Sequence, residues 1–156
     1  GGELGGGAEV IVIESSSTQG ARLAIYDETG LVAATPYIGR SNRWLAPLGA
    51  ADLDGDGAIE IAYIDRPHLA KTLRIWRFAN GKLTHVADQS GLTNHRIGED
   101  FISGGVVACE GIPQIVSANA DWSRIMISEL QGGKITSRDG GAYSNAKLKA
   151  RATTCP

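Results

Sequence analysis

Short apolar runs recur along the chain at nearly even intervals. The first of each set is Glu9-Val10-Ile11-Val12-Ile13, then Glu60-Ile61-Ala62-Tyr63-Ile64, then Gln114-Ile115-Val116-Ser117-Ala118. Each is followed by a second run, at Leu23–Tyr26, Leu73–Trp76 and Ile125–Ile127, and then by a glycine-bearing turn: Glu28-Thr29-Gly30, Asn80-Gly81 and Gly132-Gly133. A third run follows each turn, at Leu31–Ala33, Lys82–Thr84 and Lys134–Thr136. Val10 to Ile61 is 51 residues and Ile61 to Ile115 is 54; Gly30 to Gly81 is 51 and Gly81 to Gly133 is 52. Runs this short are strands, and Asn-Gly between two of them predicts a hairpin. Leu73, Ile75 and Arg77 alternate with Arg74, Trp76 and Phe78, so that strand is apolar on much of both faces. A strand packed between neighbouring sheets reads this way.

A fourth strand is predicted ahead of each set. Trp44–Ala51 supplies it for the middle set, although Pro47 weakens the pattern, and Phe101–Val107 supplies it for the last. The first set has no counterpart. The expected fold is all-β: antiparallel four-stranded units at a period near fifty, in a partial or open propeller-like array. The 156 residues form one repeat domain with a partial unit at 8–43, full units at 44–90 and 101–140, and a tail at 141–156. The alternative is a β-sandwich with similar strands. The tail holds good helix formers in Ala146–Ala152, yet it could equally add an edge strand. Too few units are present to close a ring, so exposed sheet edges would invite self-association or be capped by the tail.

The 21 glycines are spread as turn punctuation, apart from a run at Gly1–Gly7 that suggests a frayed end. Net charge is −2 with both signs interspersed, so the basic footprint of a nucleic-acid binder is missing. No apolar run approaches the ~20 residues of a membrane span. Cys109 and Cys155 are too few for a disulfide scaffold. They are either one bridge pinning the tail or two thiols; an oxidising compartment favours the bridge.

The candidate chemistry is concentrated in Asp52-Leu53-Asp54-Gly55-Asp56-Gly57-Ala58-Ile59-Glu60. Carboxylates at positions 1, 3 and 5 of a tight loop can face one centre, with Gly55 and Gly57 supplying the unusual backbone angles. The Ala58 carbonyl at position 7 and the Glu60 carboxylate at position 9 would complete an oxygen shell suited to Ca²⁺. An EF-hand is excluded, because its bidentate carboxylate stands at position 12, which here is Tyr63 in an apolar strand. The stretch resembles the FG-GAP or VCBS repeat family of integrin-like propellers, whose loops read D-x-D-x-D-G-x-x-[DE] between two strands. Asp52, Asp54, Asp56, Gly57 and Glu60 match that pattern throughout. The resemblance covers about residues 8 to 140 and implies calcium on the rim of a blade in a secreted or periplasmic protein, serving stability rather than chemistry. Aligning the sets puts Val106, Ala108 and Glu110 at the acidic positions of the last unit, with Cys109 at the place of Gly55. It puts Gly1, Glu3 and Gly5 there in the first. Both of those sites are expected to be degenerate.

The expected function is therefore a calcium-stabilised scaffold or interaction module with a protein or glycan partner, and not an enzyme. A carbohydrate-binding module is one alternative, with Arg43, Trp44, Trp76, Trp122 and Arg124 as a ligand surface. A hydrolase or lyase is another, using His68 and His95 with Glu99 or Asp100. No zincin, nucleophile-elbow or phosphate-loop spacing supports it, and loop histidines commonly just bond backbone.

Overall fold

A computed structural model describes residues 9–39, 44–99, 101–109 and 111–155. The fold is all-β: the described residues form twelve strands in three antiparallel sheets, none closed into a barrel, followed by one helix. The first sheet has the order β1 (Val10–Ser16), β2 (Gly20–Asp27), β3 (Gly30–Ala34). The second runs β4 (Leu45–Ala51), β5 (Ile59–Asp65), β6 (Thr72–Ala79), β7 (Lys82–Ser90). The third contains β8 (Leu92–Thr93), β9 (Gly105–Val107), β10 (Gln114–Asn119), β11 (Arg124–Gln131) and β12 (Lys134–Ala142), with β8 and β9 both pairing β10.

Two-residue turns drive two of the hairpins. Asn80 (φ 54°) and Gly81 (φ 73°) join β6 to β7, and Gly132 (φ 58°) and Gly133 (φ 76°) join β11 to β12. Positive φ at both central residues is the geometry whose twist matches the flanking strands.

The sheets stack face to face. Ala21, Leu23 and Ile25 of β2 pack on Leu45, Ile61, Tyr63 and Phe78 of the second sheet. The opposite face of that sheet, through Ala62, Ile64, Leu73 and Ile75, packs on Leu92, Ile115 and Leu130 of the third. β5 and β6 are thus covered on both sides, as the two-faced apolar pattern of β6 requires. Tyr63 is buried deeply enough that its phenol is pushed up to about 12, and its oxygen accepts a hydrogen bond from Trp76 Nε1 at 2.9 Å.

The far face of the third sheet is covered by the tail, which is the helix α1 (Asn145–Thr153) and not an edge strand. Ser144 starts it, its Oγ accepting from Lys147 N at 3.1 Å. Leu148, 1 % exposed, fills a core with Val107, Val116, Ile125 and Ile127. The Cys109–Cys155 disulfide ties the end of this segment to the turn after β9.

Three expectations need correction. The last sheet has five strands and not four, because β8 as well as β9 pairs with β10; the first has three and the middle one four. Of Phe101–Val107 only Gly105–Val107 is strand. Gly104 has φ 86°, and a Cβ there would lie 2.3 Å from the Val116 carbonyl oxygen, so the chain turns against β10 before it can pair with it. Glu9 precedes β1 rather than opening it.

Candidate metal centre

The loop between β4 and β5 is organised by its own carboxylates. Asp52 Oδ1 accepts from Gly55 N at 2.9 Å and Asp56 N at 3.1 Å, and its Oδ2 from Gly57 N at 2.9 Å. Asp54 Oδ1 accepts from Asp56 N at 3.3 Å, and Asp56 Oδ1 from Ala58 N at 2.9 Å. These bonds satisfy backbone donors that a tight loop cannot pair internally. Gly55 (φ 79°) and Gly57 (φ 90°) have open space around a notional Cβ, so glycine is needed there for its torsion and not for room.

Leu53 points the other way and is fully buried between the second and third sheets. Its N–H donates to Glu60 Oε1 at 2.8 Å, joining the loop's start to the second residue of β5. The inward anchor at position 2 leaves positions 1, 3 and 5 on the same side. One oxygen each from Asp52, Asp54, Asp56 and Glu60 lies within 4.8 Å of the others. This cluster could hold a metal ion, and an all-oxygen donor set suits hard cations.

A fifth residue completes the cluster. β5 and β6 pair so that Arg77 stands opposite Glu60. Arg77 Nε donates to Glu60 Oε2 at 3.0 Å, and Nη2 donates to Asp54 Oδ2 at 2.9 Å; Nε is 3.4 Å from Asp56 Oδ2. The Glu60 hydrogen bond raises the Arg77 guanidinium further above its already high range. Glu60 is 0 % exposed, and burial pushes its carboxyl above the ordinary range despite the bonds from Arg77 and Leu53. The charges of Asp54 and Asp56 push in the same direction as burial. Asp56 lies below its ordinary range, chiefly because Ala58 N–H bonds it. Four carboxylates face one guanidinium, so a negative surplus remains for a cation to neutralise.

The sequence pattern named the four acids but not Arg77. The signal was available in the pairing: Asp65 opposite Thr72 requires Glu60 opposite Arg77, an acid and a base facing each other across two strands of largely apolar sequence. Ala58 sits immediately before β5 with its N–H on Asp56.

The equivalent turn of the third sheet has no such cluster among the described residues. Val106 packs into the core between the second and third sheets, and Cys109 is in the disulfide. Glu110, and Gly1, Glu3 and Gly5 of the first set, lie outside the described residues, as do Arg43 and Asp100.

The structure brings His68 and His95 together: His68 Nε2 and His95 Nδ1 are 2.7 Å apart. His95 Nε2 reaches the backbone carbonyl of Glu99 at 2.8 Å, not its carboxylate. Burial, followed by the charges of His95 and Lys71, holds His68 below the ordinary imidazole range. The tryptophans have separate surroundings. Trp44 packs against the cores on both faces of the second sheet, Trp76 against the core it shares with the first, and Trp122 against the outer core of the third. Arg124 pairs with Asp139 at 2.7 Å, while Arg96 lies over the Trp122 ring at 4.6 Å. No helix among the described residues is long and apolar enough to cross a membrane. Comparison with protein-family models and with curated proteins returns no match.

Proposed function

We propose that this chain is a calcium-binding β-sheet module of the FG-GAP or VCBS kind, acting as a scaffold or interaction domain and not as an enzyme. The observation that carries the reading is the convergence of Asp52, Asp54, Asp56 and Glu60 to within 4.8 Å on a loop whose Asp52 is already held by three backbone N–H groups. Donors held in place before the ion arrives reduce the ordering cost of binding. With Ca²⁺ bound, the Ala58 carbonyl would join these carboxylates as a ligand. The ion would neutralise charge that Arg77 alone leaves uncompensated. Magnesium should bind less well, because it demands near-octahedral geometry and sheds water reluctantly.

Secretion or a periplasmic location is supported by the Cys109–Cys155 bridge, since disulfides persist in oxidising compartments. Edge strand β1, with Val10 58 % exposed, supports self-association or a protein partner; a glycan partner is the other class proposed.

Calorimetric titration of Ca²⁺ and Mg²⁺ into the wild type and Asp54→Ala tests the reading. Expected is saturable Ca²⁺ binding near one ion per chain, weaker Mg²⁺ binding, and no Ca²⁺ binding in the variant. Absence of Ca²⁺ heat in the wild type at millimolar ion would leave the loop an acidic turn.

The second reading, a hydrolase or lyase, is favoured only by the His68–His95 contact. The two readings separate in one comparison. Turnover of a glycan substrate that survives chelation and is lost in His68→Ala would favour the enzyme, whereas calcium-dependent retention on a glycan or protein array would favour the module.

A further inference from the structure

The His68–His95 contact joins two loops that are otherwise remote in sequence. His68 lies between β5 and β6, in a segment bounded by Arg66 and Lys71, both at φ 47°. Non-glycine residues in this left-handed region are strained, and such strain persists only where surrounding contacts hold it. Here the holding contacts are Arg66 N to Trp44 O at 3.0 Å, Lys71 N to Arg66 O at 3.1 Å and Leu92 N to Lys71 O at 2.9 Å. His95 lies in the segment after β8. The Trp44 ring stands edge-on to both imidazoles, with centroids 5.6 Å from His68 and 4.9 Å from His95.

Donor chemistry fixes the protons. A carbonyl oxygen only accepts, so His95 Nε2, 2.8 Å from Glu99 O, carries a hydrogen. Neutral His95 then has a bare Nδ1, and His68 Nε2–H donates to it across 2.7 Å. A first proton taken up by the pair goes to His68 Nδ1 and leaves the bond in place. A proton on His95 Nδ1 sets two N–H groups against each other at 2.7 Å, and the bond becomes a repulsion.

We propose that the His68–His95 pair is a proton-operated latch, which ties loop 66–71 to loop 94–99 when His95 is neutral and releases both loops when His95 Nδ1 is protonated. Lys71, whose Nζ donates to Ala120 O at 2.7 Å, opposes protonation of His68. Arg66 at the other end of that loop is engaged by Asp65 at 2.8 Å. On the His95 loop, Arg96 is held over the Trp122 and Tyr143 rings, and Glu99 meets His95 through its backbone carbonyl while its Oε1 is buried without a partner. Opening requires a proton on His95 Nδ1 beyond the one that His68 Nδ1 can take, so the latched form binds fewer protons than the open one and is lost on acidification. The same two loops expose Leu69 (59 %) and Ile97 (82 %), so the latch sets how these apolar side chains are presented.

Hydrogen exchange on the full chain tests this, with rates corrected for the intrinsic pH dependence of amides, at about pH 7.5 and about pH 5. In the wild type, peptides covering 66–71 and 94–99 should lose about tenfold or more of their protection in acid, while β5, β6, β10 and β11 keep theirs. His95→Phe keeps a ring beside Trp44 but has no acceptor, so its loops should exchange at the released rate at both pH values. His68→Gln offers an amide N–H to neutral His95 and an amide oxygen to protonated His95, so it should stay latched at both. Wild-type loops equally protected at the two pH values would overturn the proposal. So would a His95→Phe variant protected like wild type at neutral pH, or a His68→Gln variant that loses protection in acid as wild type does.

Discussion

The connection from β4 to β5 and the connection from β9 to β10 occupy comparable places in adjoining sheets, each joining a pair of antiparallel strands. The first is held by charge: three aspartates on backbone N–H groups, a buried glutamate and a guanidinium between them. The second is held covalently, through Cys109 to Cys155, with α1 lying over the sheet. The two means act on different states of the chain. A disulfide narrows the unfolded ensemble and is indifferent to ions. A carboxylate loop carries its cost in the folded state, where the acids are brought together, and that cost is open to adjustment by ion, pH and Arg77.

The largest effect should come from the covalent side. Removing the bridge by Cys155→Ser frees a loop with a sequence separation of 46, worth about 4 kcal/mol in the entropic account. Urea unfolding should show a lower midpoint, and exchange in α1 should rise as Leu148 loses its hold on the outer core. The calcium response should be unchanged in this variant, because independent sites add. A calcium response that vanished with the bridge would mean that the two connections are one coupled unit.

The ion comes next. At about 100 times its dissociation constant, calcium should stabilise the fold by about 2.7 kcal/mol relative to chelator. Its pH dependence follows from Glu60. A carboxyl raised in the folded state contributes stability below its unfolded value of about 4.3, and that contribution is lost as pH rises through the folded value. The ion-free fold therefore carries a penalty at neutral pH that calcium relieves. Calcium affinity should weaken on acidification through this range. Thermal midpoints in calcium and in chelator, measured across pH, check both statements; equal midpoints at neutral pH would remove calcium from the comparison.

Arg77 sharpens it further, because its two effects have opposite signs. Arg77→Gln leaves Glu60 buried without its cation, a loss of about 1–3 kcal/mol in chelator. The same change removes a competitor for the Asp54 and Glu60 oxygens, so calcium should bind more tightly and recover much of the lost stability. A variant destabilised equally with and without calcium would make Arg77 part of the loop's frame and not a rival to the ion.

How much of this was legible depends on the range of the contact. Asn80-Gly81 and the two-faced pattern of β6 are local, and both the hairpin and its double burial follow from them. The four acids are legible because their spacing alone makes them neighbours in a tight loop. Arg77 is 17 residues from Glu60 and enters only through strand register, and His68 meets His95 across 27 residues through two loops with no regular pattern. Phe101–Gly104 misleads because an apolar run looks like a strand, while a backbone contact with Val116 decides its path. The choice between helix and strand for the tail likewise rests on what covers the third sheet, which its own composition does not state.

The smallest effect expected is at the start of α1, and it tests whether the covalent side of the comparison is one fixture or two. Ser144 Oγ accepts from Lys147 N at 3.1 Å, one of the four N–H groups that a helix leaves unpaired at its first turn. Ser144→Ala should cost about 1 kcal/mol by the usual worth of such a cap. The staple at Cys155 holds the other end of the helix, so loss of the cap should fray the first turn without freeing Leu148 from Val116 and Ile127. With the bridge intact, the urea midpoint should fall slightly and the calcium increment should stay the same. In Cys155→Ser the helix has only the cap and Leu148 to hold it, so adding Ser144→Ala should cost more than it does in the wild type. That excess is a coupling energy, and a double-mutant cycle measures it directly. Strict additivity would mean that the bridge holds the turn after β9 and leaves α1 to its own packing.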